Sequence, residues 1–125
     1  MEIIYNLTQA ESKLADIIWA ETPIPSLELI KIAEREFGWK RTTTYTVLKR
    51  MCKKGITKLD GGVVTTTLTR DEFFAGQSRR FVEDTFGGSL PLFLTSFISG
   101  KKLTPGQADE LRRLIDEHEG GGGNG

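Results

Sequence analysis

The chain has few of the residues that build catalytic, metal and disulfide sites. Its 125 residues include one cysteine, Cys52, and one histidine, His118. A single cysteine excludes an internal disulfide and suits a reducing compartment. Because His118 has no cysteine or second histidine near it in the sequence, we expect no metal site and no cofactor. The glycine pairs 61–62 and 87–88 fit a hairpin and a helix end rather than a phosphate-binding loop. We therefore predict that the protein is not an enzyme.

Long apolar runs and a targeting sequence are also missing. The most apolar stretch, residues 90–98, is much shorter than the ~18 apolar residues that a membrane crossing needs. The first five residues lack the basic-then-apolar plan of a signal peptide. We therefore expect a cytoplasmic protein without stable membrane insertion.

Charge is balanced in total but uneven along the chain. The sequence has 17 basic and 17 acidic residues, yet no acidic residue occurs from Phe37 to Leu59. That stretch contains seven basic residues: Lys40, Arg41, Lys49, Arg50, Lys53, Lys54 and Lys58. Residues 1–70 carry a net charge of +3 and residues 71–125 a net charge of −3. Such asymmetry indicates a basic half that faces a polyanion and an acidic half with another role.

The first half of the chain has the pattern of three helices followed by a hairpin. Thr8 and Glu11 have the spacing of a capping box, Ser26 is a candidate cap for a second helix, and Gly38 fits its end. The third predicted helix runs from about Thr42 to Lys54. Two β-prone runs then flank Asp60-Gly61-Gly62. This order predicts a mainly α fold with a small β-hairpin wing, in which residues 1–70 form a winged helix-turn-helix domain.

On the third predicted helix, Val47, Leu48 and Met51 form the inward face, with Thr44 on the same side. Basic side chains outside this face suit phosphates, and short hydroxyl side chains at the helix N-terminus suit base edges. The predicted DNA-binding residues are Lys40, Arg41, Thr42, Thr43, Tyr45, Thr46, Lys49, Arg50, Lys53, Lys54 and Lys58. The alternative is a winged-helix protein-interaction module that does not bind DNA in a sequence-specific way.

The second half has helical spacing and many phenylalanines. Some 50 residues cannot build a sufficient core alone, so this apolar stripe predicts a partner, and a second copy of the chain is the commonest one. The predicted interface residues are Phe74, Phe81, Phe86, Leu90, Phe93, Leu94, Phe97, Ile98, Leu111, Leu114 and Ile115. We predict a helical dimerisation domain at residues 71–119 and a disordered Gly-rich tail at residues 120–125.

Three short motifs together resemble the penicillinase repressor family. They are Leu7–Glu11 with Trp19, Thr43–Met51 followed by Lys54-Gly55, and Leu103-Thr104 with Glu110–Arg112. The resemblance spans roughly residues 5–119. It implies a homodimeric transcriptional repressor that binds a palindromic double-stranded DNA operator and is released by a signal.

The resemblance also bears on that signal. In the β-lactam branch of the family, a membrane-bound protease cuts an Asn-Phe bond in the dimerisation region, and the corresponding pair here is Ser96-Phe97. The resemblance thus implies a regulatory membrane protease as a partner, with Ser96-Phe97 as the candidate cleavage site. The copper-responsive branch ends in a Cys-x-Cys metal motif, which this chain lacks. The predicted wing is unusual for a DNA-binding element, because residues 61–69 contain no basic side chain.

Overall fold

The computed structural model describes residues 2–120, and these form six helices and three short strands. In chain order they are α1 (Gln9–Glu21), β1 (Ile24–Pro25), α2 (Ser26–Phe37), α3 (Arg41–Lys53), β2 (Thr57–Asp60), β3 (Val63–Thr66), α4 (Arg70–Phe86), α5 (Leu90–Ile98) and α6 (Pro105–His118). The predicted class, mainly α with a small β wing, is confirmed. The tail predicted to be disordered lies, from residue 121 onward, outside the described residues.

The chain divides into two compact units, one ending at Phe81 and the other beginning at Val82. The sequence pattern places the division near Arg70, at the start of α4, whereas this helix begins inside the first unit. The reason is Phe73, whose side chain is fully buried against Ile56 and Leu68 of the first unit. The first turns of α4 therefore belong to the core of the first unit.

The core of the first unit lies between α1, α2, α3 and the sheet. Each helix contributes one apolar stripe at helical spacing, and β1 and β3 cover the stripes from one side. The buried apolar members are Leu14, Ala15, Ile18, Ile24, Leu29, Ala33, Val47, Leu48, Met51 and Val64. Val47, Leu48 and Met51 place α3 with its other face outward, as its sequence pattern predicts.

The sheet has three antiparallel strands in the order β1-β3-β2. The hairpin of β2 and β3 is the predicted wing, with Leu59 opposite Val64 and glycines of positive φ at its tip. The sequence pattern does not predict strand β1, which consists of Ile24 and Pro25 alone. Its two residues pair with Val63 and Val64, and the amide of Ser26 donates to Gly62 O at 2.8 Å. The wing is thus attached to the start of α2.

Helix ends follow the sequence, with one exception. The capping box at Thr8 is confirmed: the amide of Glu11 donates to Thr8 Oγ1 and the amide of Thr8 donates to Glu11 Oε1. Gly38, with φ of 69°, ends α2 in the left-handed conformation that glycine adopts without strain. The predicted Ser26 cap is wrong, because Ser26 is the first helical residue and its side chain makes no capping bond.

The second unit consists of the end of α4, α5 and α6. Between Val82 and Gly120 no side chain is fully buried, although α5 is strongly apolar. Thr104 caps α6 in a box with Gln107, and Pro105 occupies the first turn. Within residues 2–120, no helix has both the length and the apolar content that crossing a membrane requires.

Candidate nucleic-acid interface

The exposed face of α3 brings together most of the residues predicted to bind DNA. The buried side consists of Thr44, Val47, Leu48 and Met51, at 0–2% exposure, which fixes the direction of every other side chain on the helix. The exposed members are Lys40, just before the helix, and Arg41, Thr42, Thr43, Thr46, Lys49, Arg50 and Lys53 on it. No residue of α3 is acidic, so the only charged side chains on this surface, the basic face, are cations.

The hydroxyl residues are concentrated in the first two turns of α3. Thr42 and Thr43 are exposed, whereas the hydroxyl of Thr46 donates to Thr42 O at 2.9 Å and keeps its acceptor lone pairs outward. Helix N-termini present short side chains to a groove in helix-turn-helix proteins. The helix therefore has hydrogen-bonding groups at its N-terminal end and cations, Lys49, Arg50 and Lys53, towards its C-terminal end.

Tyr45 is half-buried and lies between α2 and Arg41. Its hydroxyl is 3.5 Å from Ser26 Oγ, and the guanidinium of Arg41 lies 5.8 Å from the centre of its ring. The hydrogen bond with Ser26 lowers the pKa of Tyr45, more than partial burial raises it, and a hydrogen bond and the charge of Arg41 lower it further. Tyr45 thus connects the N-terminal turn of α3 to α2 and holds Arg41 beside the exposed hydroxyls.

Lys54 lies apart from the basic face, although it was predicted with it. Its ammonium donates to Glu11 Oε1 at 2.5 Å, to Asn6 Oδ1 at 2.7 Å and to Asn6 O at 3.1 Å. An ammonium has three protons, so these bonds use all of its donors inside the domain. Glu11 is fully buried, and 17% of the Lys54 side chain is exposed. Lys54 therefore does not belong to the basic face.

A sequence signal for this pair exists in the helical spacing. Glu11 precedes Leu14 by three residues and Ala15 by four, which places it on the buried stripe of α1. Lys54 follows the buried Met51 by three residues in the same way. Both positions therefore indicate inward side chains, and a buried carboxylate needs a cation. Sequence spacing does not show that the two stripes meet at these residues.

The environment of Glu11 sets the charge state of the pair. Burial raises the pKa of Glu11, but the hydrogen bond from Lys54, the backbone amide and hydroxyl of Thr8 and the charge of Lys54 together hold it below its ordinary value. The carboxylate is accordingly ionised at neutral pH. The ion pair joins the start of α1 to the end of α3.

This lowered pKa predicts a specific loss of stability in acid. The contribution of Glu11 is fully present above its ordinary pKa of 4.5 and is lost as the pH falls through the lower folded-state value. We expect the free energy of unfolding of the wild type to fall more steeply below pH 4.5 than that of Glu11→Gln. Urea unfolding from pH 3 to pH 6 measures both slopes. Equal slopes would contradict the assignment.

The wing contributes one cation. Lys58 is exposed on β2, opposite Thr65 of β3. The tip at Gly61 and Gly62 has φ values of 59° and 78°, and both are open to solvent, so their backbone can approach another molecule closely. A wing contact would therefore use Lys58, the Thr65 hydroxyl or backbone amides.

The residues predicted to form a dimer interface are largely exposed or half-buried in the single chain. Phe74, at 41% exposure, lies in the first unit beside Trp19 and Arg70. The exposed members from residue 81 onward are Phe81, Leu90, Phe97, Leu114 and Ile115, and the half-buried ones are Phe86, Phe93, Leu94, Ile98 and Leu111. α5 and α6 border an apolar groove of about 320 Å³, lined by Phe93, Leu94, Phe97, Leu103, Leu111 and Leu114 among others. Ser96 and Phe97, the candidate cleavage site, lie exposed in the last turn of α5.

Sequence comparisons match nearly the whole chain, and a structural comparison matches just over half of it. The sequence profile of the penicillinase repressor matches residues 7–117. The chain is 27% identical over 123 residues to the penicillinase repressor of Bacillus licheniformis, which covers 95% of this chain and 96% of that protein. It is 20% identical over 117 residues to the methicillin resistance regulatory protein MecI of Staphylococcus aureus, covering 90% and 95%. The solved DNA-binding domain of the repressor BlaI matches with a TM-score of 0.50 and 28% identity, over 58% of this chain and 93% of that one.

Proposed function

The chain belongs to the penicillinase repressor family, and we propose that it is a cytoplasmic transcriptional repressor that binds a palindromic double-stranded DNA operator as a homodimer. The observation that carries this proposal is the basic face of α3. It is exposed, it contains no acidic residue, and its hydroxyl groups lie in the first two turns with Arg41, ahead of Lys49, Arg50 and Lys53. A surface of this kind suits a polyanion whose edges can be read by hydrogen bonds.

Roles on the basic face follow from the chemistry of the side chains. We assign Lys40, Lys49, Arg50 and Lys53 to phosphates, because cationic side chains bind phosphate oxygens. Such phosphate contacts supply affinity but carry no sequence information. We assign Thr42, Thr43 and Thr46 to base edges, which hydroxyls contact as donors or acceptors. Arg41 and Tyr45 lie beside these hydroxyls and act with them, and Lys58 supplies the wing contact.

The homodimer is supported by the second unit. Its phenylalanines and aliphatic side chains form a groove and an exposed stripe on α5 and α6. Apolar surface of this extent marks an interaction site, and two-fold homodimers are the commonest closed assemblies. A two-fold dimer presents two copies of α3, which match half-sites one helical turn apart, ~34–36 Å.

Release by proteolysis is supported by the position of Ser96-Phe97. The pair lies exposed at the end of α5, within the apolar surface assigned to the dimer. A cut there would separate most of α5 from α6, the two helices that border the groove. We therefore propose a regulatory membrane protease as the partner that ends repression.

DNA binding is tested directly by fluorescence anisotropy with duplex DNA from upstream of the protein's own gene, repeated from 50 to 300 mM salt, and by footprinting of the same duplex. We expect tight binding, a steep salt dependence and two protected half-sites. If no duplex binds at low salt, the repressor proposal is wrong and a protein-interaction module replaces it. A footprint with one half-site would remove the palindromic part of the proposal.

Arg50→Ala and Thr43→Ala should separate affinity from specificity. We expect Arg50→Ala to weaken binding to all duplexes alike and to reduce the salt slope of log K by about 0.9, as the loss of one phosphate contact does. Thr43→Ala should leave the slope unchanged and alter the ranking of single-base variants of the operator.

The matched control is Lys102→Ala, which removes an exposed cation from the second unit. We expect it to change neither the slope nor the ranking. If Arg50→Ala and Thr43→Ala both behave like this control, α3 is not the helix that contacts DNA.

A further inference from the structure

The N-terminal arm, residues 2–7, connects the end of α3 to α4. On one side, the amide of Ile4 donates to Lys54 O at 2.9 Å, and the Lys54 ammonium returns to Asn6. On the other side, Ile3, Tyr5 and Leu7 pack against Ile56, Leu68 and Phe73. The arm therefore has polar contacts with the helix that carries the basic face and apolar contacts with the helix that follows the wing.

Its closest contact with α4 is between Tyr5 and Gly76. A Cβ atom built on Gly76 would lie 2.5 Å from Tyr5 Cζ and 2.7 Å from Cδ1, and closer still to Cε1. Real Cβ atoms do not approach ring atoms this closely, so the contact exists because residue 76 has no side chain. The ring centres of Tyr5 and Phe73, which lies one turn before Gly76 on α4, are also 5.8 Å apart. A glycine inside a helix costs about 1 kcal/mol relative to alanine, so a packing reason for it is expected.

The opposite side of α4 is also fixed. The ring centre of Trp19 in α1 lies 5.6 Å from that of Phe73 and 6.0 Å from that of Phe74. The Trp19 indole N–H donates to Leu68 O at 3.2 Å. Arg70 pairs with Asp16 at 3.3 Å and lies over Phe74 at 5.4 Å. The first two turns of α4 are thus held between α1 and the arm, and the direction of α4 in the first unit follows from both.

We infer that Tyr5 and Gly76 are positioning residues for operator binding: the arm fixes the direction of α4 relative to α3. The helix continues past Phe81 into the second unit. Because α4 is the segment through which the chain enters the second unit, we expect a change in its packing on the first unit to alter operator binding by a dimer. This inference rests on the proposed function, since it requires a dimer that binds two half-sites.

The test compares three duplexes taken from the footprint: one half-site, both half-sites at native spacing, and both half-sites with one base pair inserted. Engaging two sites at once contributes about 10²–10⁴ to affinity, so we expect Gly76→Ala to weaken binding to the native duplex by roughly tenfold or more. Binding to the single half-site should stay within about twofold, because Gly76 lies outside the basic face. The preference for native over lengthened spacing should also decrease.

Two further variants distinguish positioning from a general loss of folding. Tyr5→Ala removes the ring without adding a clash, and we expect the same loss on the native duplex. In Tyr5→Ala/Gly76→Ala the new Cβ at residue 76 has no tyrosine ring to clash with. The double variant should therefore bind DNA as well as Tyr5→Ala does. Gly106→Ala is the matched control, because its Cβ would meet nothing closer than 4.0 Å. It should bind all three duplexes like the wild type.

The outcomes separate a failure of the proposed function from a failure of the inference about Tyr5 and Gly76. If the wild type binds no duplex with two half-sites, the proposed function is wrong. If the wild type binds it but Gly76→Ala and Tyr5→Ala bind every duplex equally well, the inference is wrong. The inference is also wrong if both variants lose affinity for the single half-site by the same factor as for the native duplex. Should Gly76→Ala fail to fold, Tyr5→Ala alone decides by the same criteria.

Discussion

Replacing Lys54 by methionine will destabilise the first unit by about 3 kcal/mol, the usual cost of breaking a buried ion pair by removing one partner. The change leaves the Glu11 carboxylate fully buried without its cation. The second oxygen of Glu11, Oε2, already receives no hydrogen bond from the described residues, so the contacts with Thr8 are the compensation that remains. Asn6 loses the donor that holds the arm as well. Urea unfolding at pH 7 measures the loss.

The neighbouring Lys53 is the matched control, since it carries the same side chain one residue earlier and is exposed on the basic face. We expect Lys53→Met to change the free energy of unfolding by less than about 0.5 kcal/mol, as surface substitutions do. Its DNA binding should instead lose about 0.9 from the salt slope, whereas the slope of Lys54→Met should match that of the wild type. The opposite pattern, with an unchanged stability and a reduced slope for Lys54→Met, would return Lys54 to the DNA surface.

Most elements of this fold could be predicted because their signals are local. The Thr8 box, the Gly38 end of α2 and the Asp60-Gly61 turn each depend on residues a few positions apart. Strand β1 could not be predicted in this way. Its two residues, one of them a proline, have no strand pattern of their own, and they become a strand only because β3 lies beside them.

The candidate site shows the same division between local and distant information. The direction of the α3 side chains follows from the spacing of Val47, Leu48 and Met51, so the exposed face could be predicted from the sequence. The placement of Lys54 depends on Glu11, 43 residues earlier, and a charge count cannot distinguish an exposed lysine from a paired one. Phe73 also depends on distant residues. The sequence places Phe73 and Phe74 side by side, but only the fold of the first unit buries Phe73 and leaves Phe74 exposed.

Cutting the chain after Phe81 will produce a folded monomer that binds a single half-site like the wild type. This end point keeps Phe73 and Gly76 in place and removes α5, α6 and the groove between them. In the proposed dimer the second unit links the two copies of α3, so we expect the fragment's affinity for the full operator to fall by about 10²–10⁴. Light scattering gives the mass of the fragment, and anisotropy with one and two half-sites gives both affinities.

A fragment ending at Arg70 is the informative control for this cut. It removes Phe73, so Ile56 and Leu68 lose the ring that covers them, and truncating a buried phenylalanine costs about 3–5 kcal/mol. We expect this shorter fragment to be much less stable than the one ending at Phe81, although both lack the same apolar groove. If the fragment ending at Phe81 remains a dimer, the exposed phenylalanines of the second unit are not the main interface. If it is a monomer with unchanged operator affinity, the two copies of α3 do not act together.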